Sequence, residues 1–414
     1  MNLNASKKLW NRNFTLLVIG QIMSLFGNMV ITAVLPLHIL NISESPFLFG
    51  LAMGLPVVSF IIMTPIGGVM ADRMTKHRLM FWLDISVTVI IVAYMLVSGF
   101  FTEIVPIVIV KLLAFNAIQS VYMATTASSI CPIVPSNKLT AGTAIIQVVN
   151  MLSMTGGMAL AGLLYDRLDL STILIGTIVC FIVTAIADLF LRIPCKKQKF
   201  CGGPIQTIKN DIPVAIKFIF KDKPILSKCV APLFLIEFVF GSMLMVGVPV
   251  LIIGHLRMSM TMVGVALACL LFGGVLGGII AGSLGEKLTI PKGLLFVLIS
   301  GILSISIGLA FIFELPSIIT YIVIILGGAI FAFSTKIAGI ALMAYIQKET
   351  PTELLGKTLS VLMVVPFIAQ SLAYPLHGWL FGRFVESPSL IILSATFIML
   401  AVVLFVYRYF KKSL

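Results

Sequence analysis

Charge is what this sequence has least of. Asp, Glu, Lys and Arg together make up 10% of its 414 residues, where a soluble domain carries about 25%. With 60% of residues hydrophobic and a mean hydropathy of +1.16, a water-soluble globule is excluded. Histidine is scarce too: His38, His77, His255 and His377 are scattered, with no His-x-x-x-His pair and no Cys/His cluster. No Gly-x-x-x-x-Gly-Lys-Ser/Thr loop occurs, so the chain carries no ATPase of its own. No constellation of residues suggests an enzyme, a metal centre or a cofactor.

Apolar runs fill the chain instead, each about 20 residues or longer and so able to cross a bilayer as a helix. They read as spans at about 13–40, 47–71, 79–100, 104–131, 139–165, 170–191, 226–254, 260–284, 293–313, 316–346, 358–382 and 389–407. The expected fold is an all-α membrane protein of twelve transmembrane helices. Its halves are 1–191 and 226–414, joined by a lysine-rich loop at 192–225 that contains Cys201-Gly202-Gly203-Pro204. The first span is long and lacks a small-residue cleavage site, which makes it an uncleaved anchor.

The net charge of +13 invites a nucleic-acid reading, but its placement refutes it. With the N-terminus in the cytosol and the spans alternating, 23 of the 28 Lys and Arg fall on the cytosolic side. Only Arg167, Arg257 and Arg383 fall outside, and Lys111 and Lys336 lie within spans. This is the positive-inside pattern and puts both termini in the cytosol. Anionic lipid contact is a secondary effect of the same bases. Cys131, Cys180, Cys195, Cys201, Cys229 and Cys269 all lie in spans or on the cytosolic side, so no extracellular disulfide framework is implied.

Internal symmetry supports two halves. A shift of 214 residues carries Gly68-Val-Met-Ala-Asp72-Arg73 onto Gly282-Ser-Leu-Gly-Glu286-Lys287, Arg78 onto Lys292, and Gly142 onto Gly356. The second copy is degenerate, with Ile290 and Pro291 in place of Lys76 and His77. Glycines mark close helix contacts: Gly274, Gly278 and Gly282 in span 8, and Gly156, Gly157 and Gly162 in span 5. They serve either general packing or a sliding interface between the halves.

An ionisable residue inside a span is costly and marks a functional candidate. Lys111, Glu237, Lys336 and Asp84 qualify. They either bind an anionic group, exchange the coupling proton, or form fixed internal ion pairs. Asp188 lies four residues before Arg192, which suggests a local pair. Polar residues recur on single helix faces: Gln21, Ser24, Asn28 and Thr32; Gln147 and Asn150 with Met154 and Met158; Gln370, Tyr374 and His377. These stripes serve either as cavity walls or as interhelical hydrogen bonds. With 21 Met and 29 Phe, soft adaptable surface is plentiful.

The spacing Gly68-x-x-x-Asp72-Arg73-x-x-x-x-Arg78 resembles the signature loop between helices 2 and 3 of the major facilitator superfamily of transporters. The resemblance covers essentially the whole chain and implies two pseudo-symmetric six-helix halves. It also implies that Asp72 and Arg73, supported by Lys76 and Arg78, latch one half to the other at the cytosolic face. Gly68 would allow the close approach, with Glu286 and Lys287 as the degenerate second copy. A carboxylate is favoured near a helix N-terminus by roughly 0.3–1 kcal/mol. Leu9-Trp10-Asn11-Arg12-Asn13-Phe14, Gly20-Gln21, Ala71-Asp72-Arg73 and Thr352-Glu353-Leu354-Leu355-Gly356-Lys357 look like the bacterial macrolide-efflux and siderophore-export branch. That branch implies proton-coupled export of amphipathic compounds. Many of the family's drug antiporters have a Gly-Pro pair in span 5, and here the region reads Met154-Thr155-Gly156-Gly157-Met158. The embedded lysines fit an anionic or zwitterionic substrate.

The expectation is therefore a monomeric, multi-pass transporter of the plasma (inner) membrane, with a small molecule and protons as its partners. Uptake, movement of a lysophospholipid-like substrate, and a non-transporting sensor are the alternatives.

Overall fold

The computed structural model describes residues 9–98, 104–135, 138–193, 213–214 and 216–413. The side chains of Asp72, Glu286 and a few others within those ranges lie outside the description, as do Cys195, Cys201 and most of the central loop. Among the described residues every regular element is helical. Twelve helices are long and apolar enough to cross a membrane. They are α1 (Arg12–Ser43), α2 (Pro46–Arg73), α3 (Lys76–Ser98), α4 (Ile104–Ile133), α5 (Leu139–Arg167) and α6 (Leu170–Phe190). Then follow α7 (Ile225–His255), α8 (Met260–Leu284), α9 (Ile290–Ile312), α10 (Ser317–Glu349), α11 (Thr352–Arg383) and α12 (Pro388–Ser413).

All twelve expected spans are present, and several run further than their apolar cores. The helix α11 begins at Thr352 and α10 continues to Glu349. Polar ends extend because backbone hydrogen bonding continues past the apolar stretch. The turns are short. Gly285, at φ 50°, ends α8, and Pro291 sits in the first turn of α9, where its missing N–H costs nothing. The side chain of Asp169 caps α6 by accepting from the Thr172 N–H at 3.0 Å.

The chain divides into two compact units, one of residues 1–36 with 55–205 and one of 37–54 with 206–414. In the first, α2 approaches α4 closely: a Cβ at Gly67 would lie 2.8 Å from Val121 Cα. The Ser59 hydroxyl donates to the Leu113 carbonyl at 2.9 Å in the same contact. At Gly157, α5 meets Met29 of α1, and Phe115 and Phe181 hold α4 to α6 edge to face. The start of α1 is tied down by two asparagines. Asn11 accepts from the Phe14 N–H and donates to the Ile133 carbonyl, at 2.9 and 3.0 Å. Asn13 pairs with the backbone of Arg192 in both directions. The Leu9–Phe14 stretch thus clasps the ends of α1, α4 and α6.

In the second unit, α10 packs against α8 and α9, and α9 against α12. The α8–α10 contact is nearly backbone on backbone: Cβ atoms at Gly273 and Gly277 would run into the Ala329 and Phe333 carbonyls. The close-packed ridge on α8 is therefore Gly273/Gly277. The expected Gly274, Gly278 and Gly282 face the neighbouring, roomier side, with nothing nearer than 3.9 Å to an added Cβ. Residues 37–54 belong to this unit, where Gly50 and Gly54 nest against Tyr374, Ser371 and Pro375 of α11.

Candidate functional site

In the second unit, Glu237 opens a π-helical turn, Glu237–Gly241, in the middle of α7. Such turns add a residue to the helix and are frequent at functional sites. The wider turn folds the carboxyl back over Gly241, where an added Cβ would sit 2.8 Å from Glu237 Oε2. Glu237 Oε1 accepts from Gln370 Nε2 of α11 at 2.8 Å. Tyr374, one turn beyond Gln370 and buried, faces the same carboxyl. His377, the next polar residue on that stripe, is also buried and spends Nδ1 on the Ala373 carbonyl at 2.9 Å. Three of the expected residues, Glu237, Gln370 and Tyr374, thus form one cluster across α7 and α11. Gly241 completes it, and only the π turn reveals why.

The other embedded acids and bases do not join it. Lys336 is exposed rather than enclosed, lying beside Gly278 on the α8 side of α10, and it is within 4 Å of no carboxylate among the described residues. The buried face of α10 beside it carries Ser334 and Ala338.

In the first unit, Lys111 of α4 is 4% exposed, with Nζ 4.2 Å from the centre of the Tyr94 ring of α3 and no hydrogen bond. A cation held over a ring in an apolar setting gains about 2 kcal/mol. Asp84 is enclosed on α3 and faces Asp188 of α6. The expected Asp188–Arg192 pair does not form. The helix α6 ends at Phe190 and the chain then turns extended, carrying Arg192 away to an exposed position. The sequence held a signal for this, since Ile193 precedes a proline and such positions favour extended backbone.

Of the polar stripes, Gln21 donates to Asn150 Oδ1 at 3.3 Å between α1 and α5, and Asn28 accepts the Thr32 hydroxyl at 3.0 Å. Both Gln21 and Asn28 are enclosed, while Gln147 is exposed. At the charged hairpin, Lys76 donates to the Ser128 carbonyl of α4, and Arg73 and Arg78 are exposed. An added Cβ at Gly68 meets open space, and the close contact of α2 with α4 belongs to Gly67. Lys287 is exposed and its carbonyl accepts from Lys292 Nζ at 2.9 Å.

The model of the Major Facilitator Superfamily matches residues 17–374, and the chain belongs to that family. No curated protein matches it. Among solved structures, the fold is similar to a POT family transporter in complex with a thioalcohol-conjugated peptide, at a TM-score of 0.74 and 14% identity, over 97% of this chain and 96% of that one. The nucleoside transporter NupG superposes at 0.73 with 11% identity, over 97% and 99%. A bacterial homologue of the human lysosomal transporter Spinster superposes at 0.71 with 15% identity, over 98% of each. The chain is thus a multi-pass membrane protein with the major facilitator fold.

Proposed function

We propose that this protein is a secondary active transporter that exports amphipathic, drug-like or siderophore-like molecules from the cytoplasm by proton antiport and alternating access. The observation that carries the reading is the Glu237–Gln370 hydrogen bond on the π turn of α7. A carboxyl placed inside a span, partnered by a neutral amide and backed by a tyrosine, is built to gain and lose a proton rather than to hold a fixed ion pair. Gln370 can serve both states, because its amide donates to a carboxylate and accepts from a carboxylic acid. Lys111 and Lys336 supply positive charge for an anionic or zwitterionic substrate. The Asp72–Arg78 loop, by its resemblance to the family signature, makes and breaks the cytosolic latch as the transporter switches. A D-xylose–proton symporter shares the fold, at a TM-score of 0.67, so proton coupling is compatible with it.

The test is accumulation of antibiotics and fluorescent amphiphiles in an efflux-deficient bacterium expressing the chain, with and without a protonophore, beside Glu237→Gln. Lower accumulation that the protonophore reverses and the variant lacks supports coupled export. Raised accumulation replaces export by uptake. No change for any compound removes the multidrug reading.

A further inference from the structure

Asp84 and Asp188 come from different helices, α3 and α6, and are 2% and 1% exposed. Their carboxyls face each other within hydrogen-bonding reach, and both Asp188 oxygens and Asp84 Oδ2 have no other partner. Three hydroxyls point into the same place: Tyr122 and Thr126 from α4 and Ser24 from α1, which are 2%, 3% and 0% exposed. The Tyr122 hydroxyl reaches towards both carboxyls, Ser24 and Thr126, yet none of the three hydroxyl oxygens has a well-formed hydrogen bond. Six enclosed oxygens therefore crowd one spot with only one another in reach, inside a core of Leu17, Val18, Met80 and Leu83. The Lys223–Glu349 ion pair lies in the other unit.

Each orphaned polar group in such a setting costs about 1–3 kcal/mol, and native proteins rarely leave several together. A proton shared between the carboxyls would relieve only those two side chains. A metal ion accepts lone pairs from carboxyl and hydroxyl oxygens alike, and an all-oxygen donor set selects hard cations. Magnesium holds its water and demands strict octahedral geometry, which a dry, apolar-walled site cannot serve. We propose that the first unit contains a site for one desolvated hard cation, sodium or calcium, formed by Asp84, Asp188, Tyr122, Ser24 and Thr126. It is separate from the Glu237 cluster and does not depend on any transport activity.

The experiment uses the purified full-length protein in detergent. Its thermal stability is measured in sodium chloride, calcium chloride and choline chloride at matched ionic strength, alongside equilibrium dialysis with radiolabelled sodium and calcium. The expected result is stabilisation by sodium or calcium over choline, and retention of about one ion per chain. Asp84→Asn and Asp188→Asn abolish both effects, and Tyr122→Phe weakens binding several-fold. If neither ion binds the unaltered protein, or if both aspartate variants bind as well as it does, the site does not exist and the pair holds only a proton. Because the dialysis is read on the unaltered protein, a variant that fails to fold does not blunt the test.

Discussion

An alanine methyl at Gly277 would land on the Phe333 carbonyl of α10, with Phe333 C and Cα both 3.0 Å away. At Gly273 it would meet Ala329 in the same way, with C and Cα at 2.9 Å. The obstacle in each case is backbone, so no side chain can swing aside and the two helices must separate. Overpacking of this kind costs about 1–3 kcal/mol, offset by about 0.5–1 kcal/mol for replacing a mid-helix glycine. One residue further along, a methyl at Gly274 or Gly278 meets only Ala332 O at 3.9 Å or Lys336 Cγ at 4.0 Å. There the gain stands alone. For a unit of this size, roughly 2–4 °C of melting temperature accompanies each kcal/mol. Gly277→Ala and Gly273→Ala should therefore melt up to about 10 °C lower, and Gly278→Ala and Gly274→Ala about 1–4 °C higher. The assay is size-exclusion of heated, detergent-purified protein, which needs no substrate. Shifts of the same sign in all four variants would refute the claim that α8 and α10 meet along the Gly273/Gly277 face.

Asp72→Asn should abolish most transport while leaving the protein in the membrane; normal flux by that variant would remove the latch. Gln370→Ala, which strips the donor from Glu237, should mimic Glu237→Gln in the accumulation assay at unchanged expression. Asn11→Ala removes the cap of α1 and its tie to Ile133, and should cost about 0.5–2 kcal/mol of stability in thermal unfolding. The Asp169 carboxyl is held below its ordinary value of 3.8 by hydrogen bonds from the Thr172 hydroxyl and N–H. Its capping contribution is therefore present above pH 3.8 and fades as pH falls through the lowered value. A stability–pH profile of Asp169→Ala should converge with that of the unaltered protein at the acid end.

The Glu237 site was legible residue by residue. Glu237 stood out as an acid in a span, and Gln370 and Tyr374 as one helix turn of a polar stripe. That they meet was not legible, because 133 positions separate Glu237 from Gln370. Nor was the π turn, which aims the carboxyl and explains Gly241. Asp188 was misassigned to Arg192 because spacing alone assumed that α6 continues past Phe190. Lys336 was legible as a base within a span, but not that its side chain is exposed beside Gly278.

What the sequence by itself determined is the number, place and kind of the elements. A membrane interior demands runs of about 20 apolar residues with every backbone group bonded internally, and this requirement is local and one-dimensional. The hairpin signature at Gly68–Arg78 is local in the same way and carried the family with it. Only the tertiary structure decided which face of each helix meets which neighbour. Helices such as α8 are apolar on all sides, so no amphipathic stripe marks the buried face. The difference between Gly273 and Gly274, or Gly67 and Gly68, is one residue's rotation about the helix axis. The same rotation brings Asp84 and Asp188 together, and only the packing of four helices around them shows how many oxygens they share the space with.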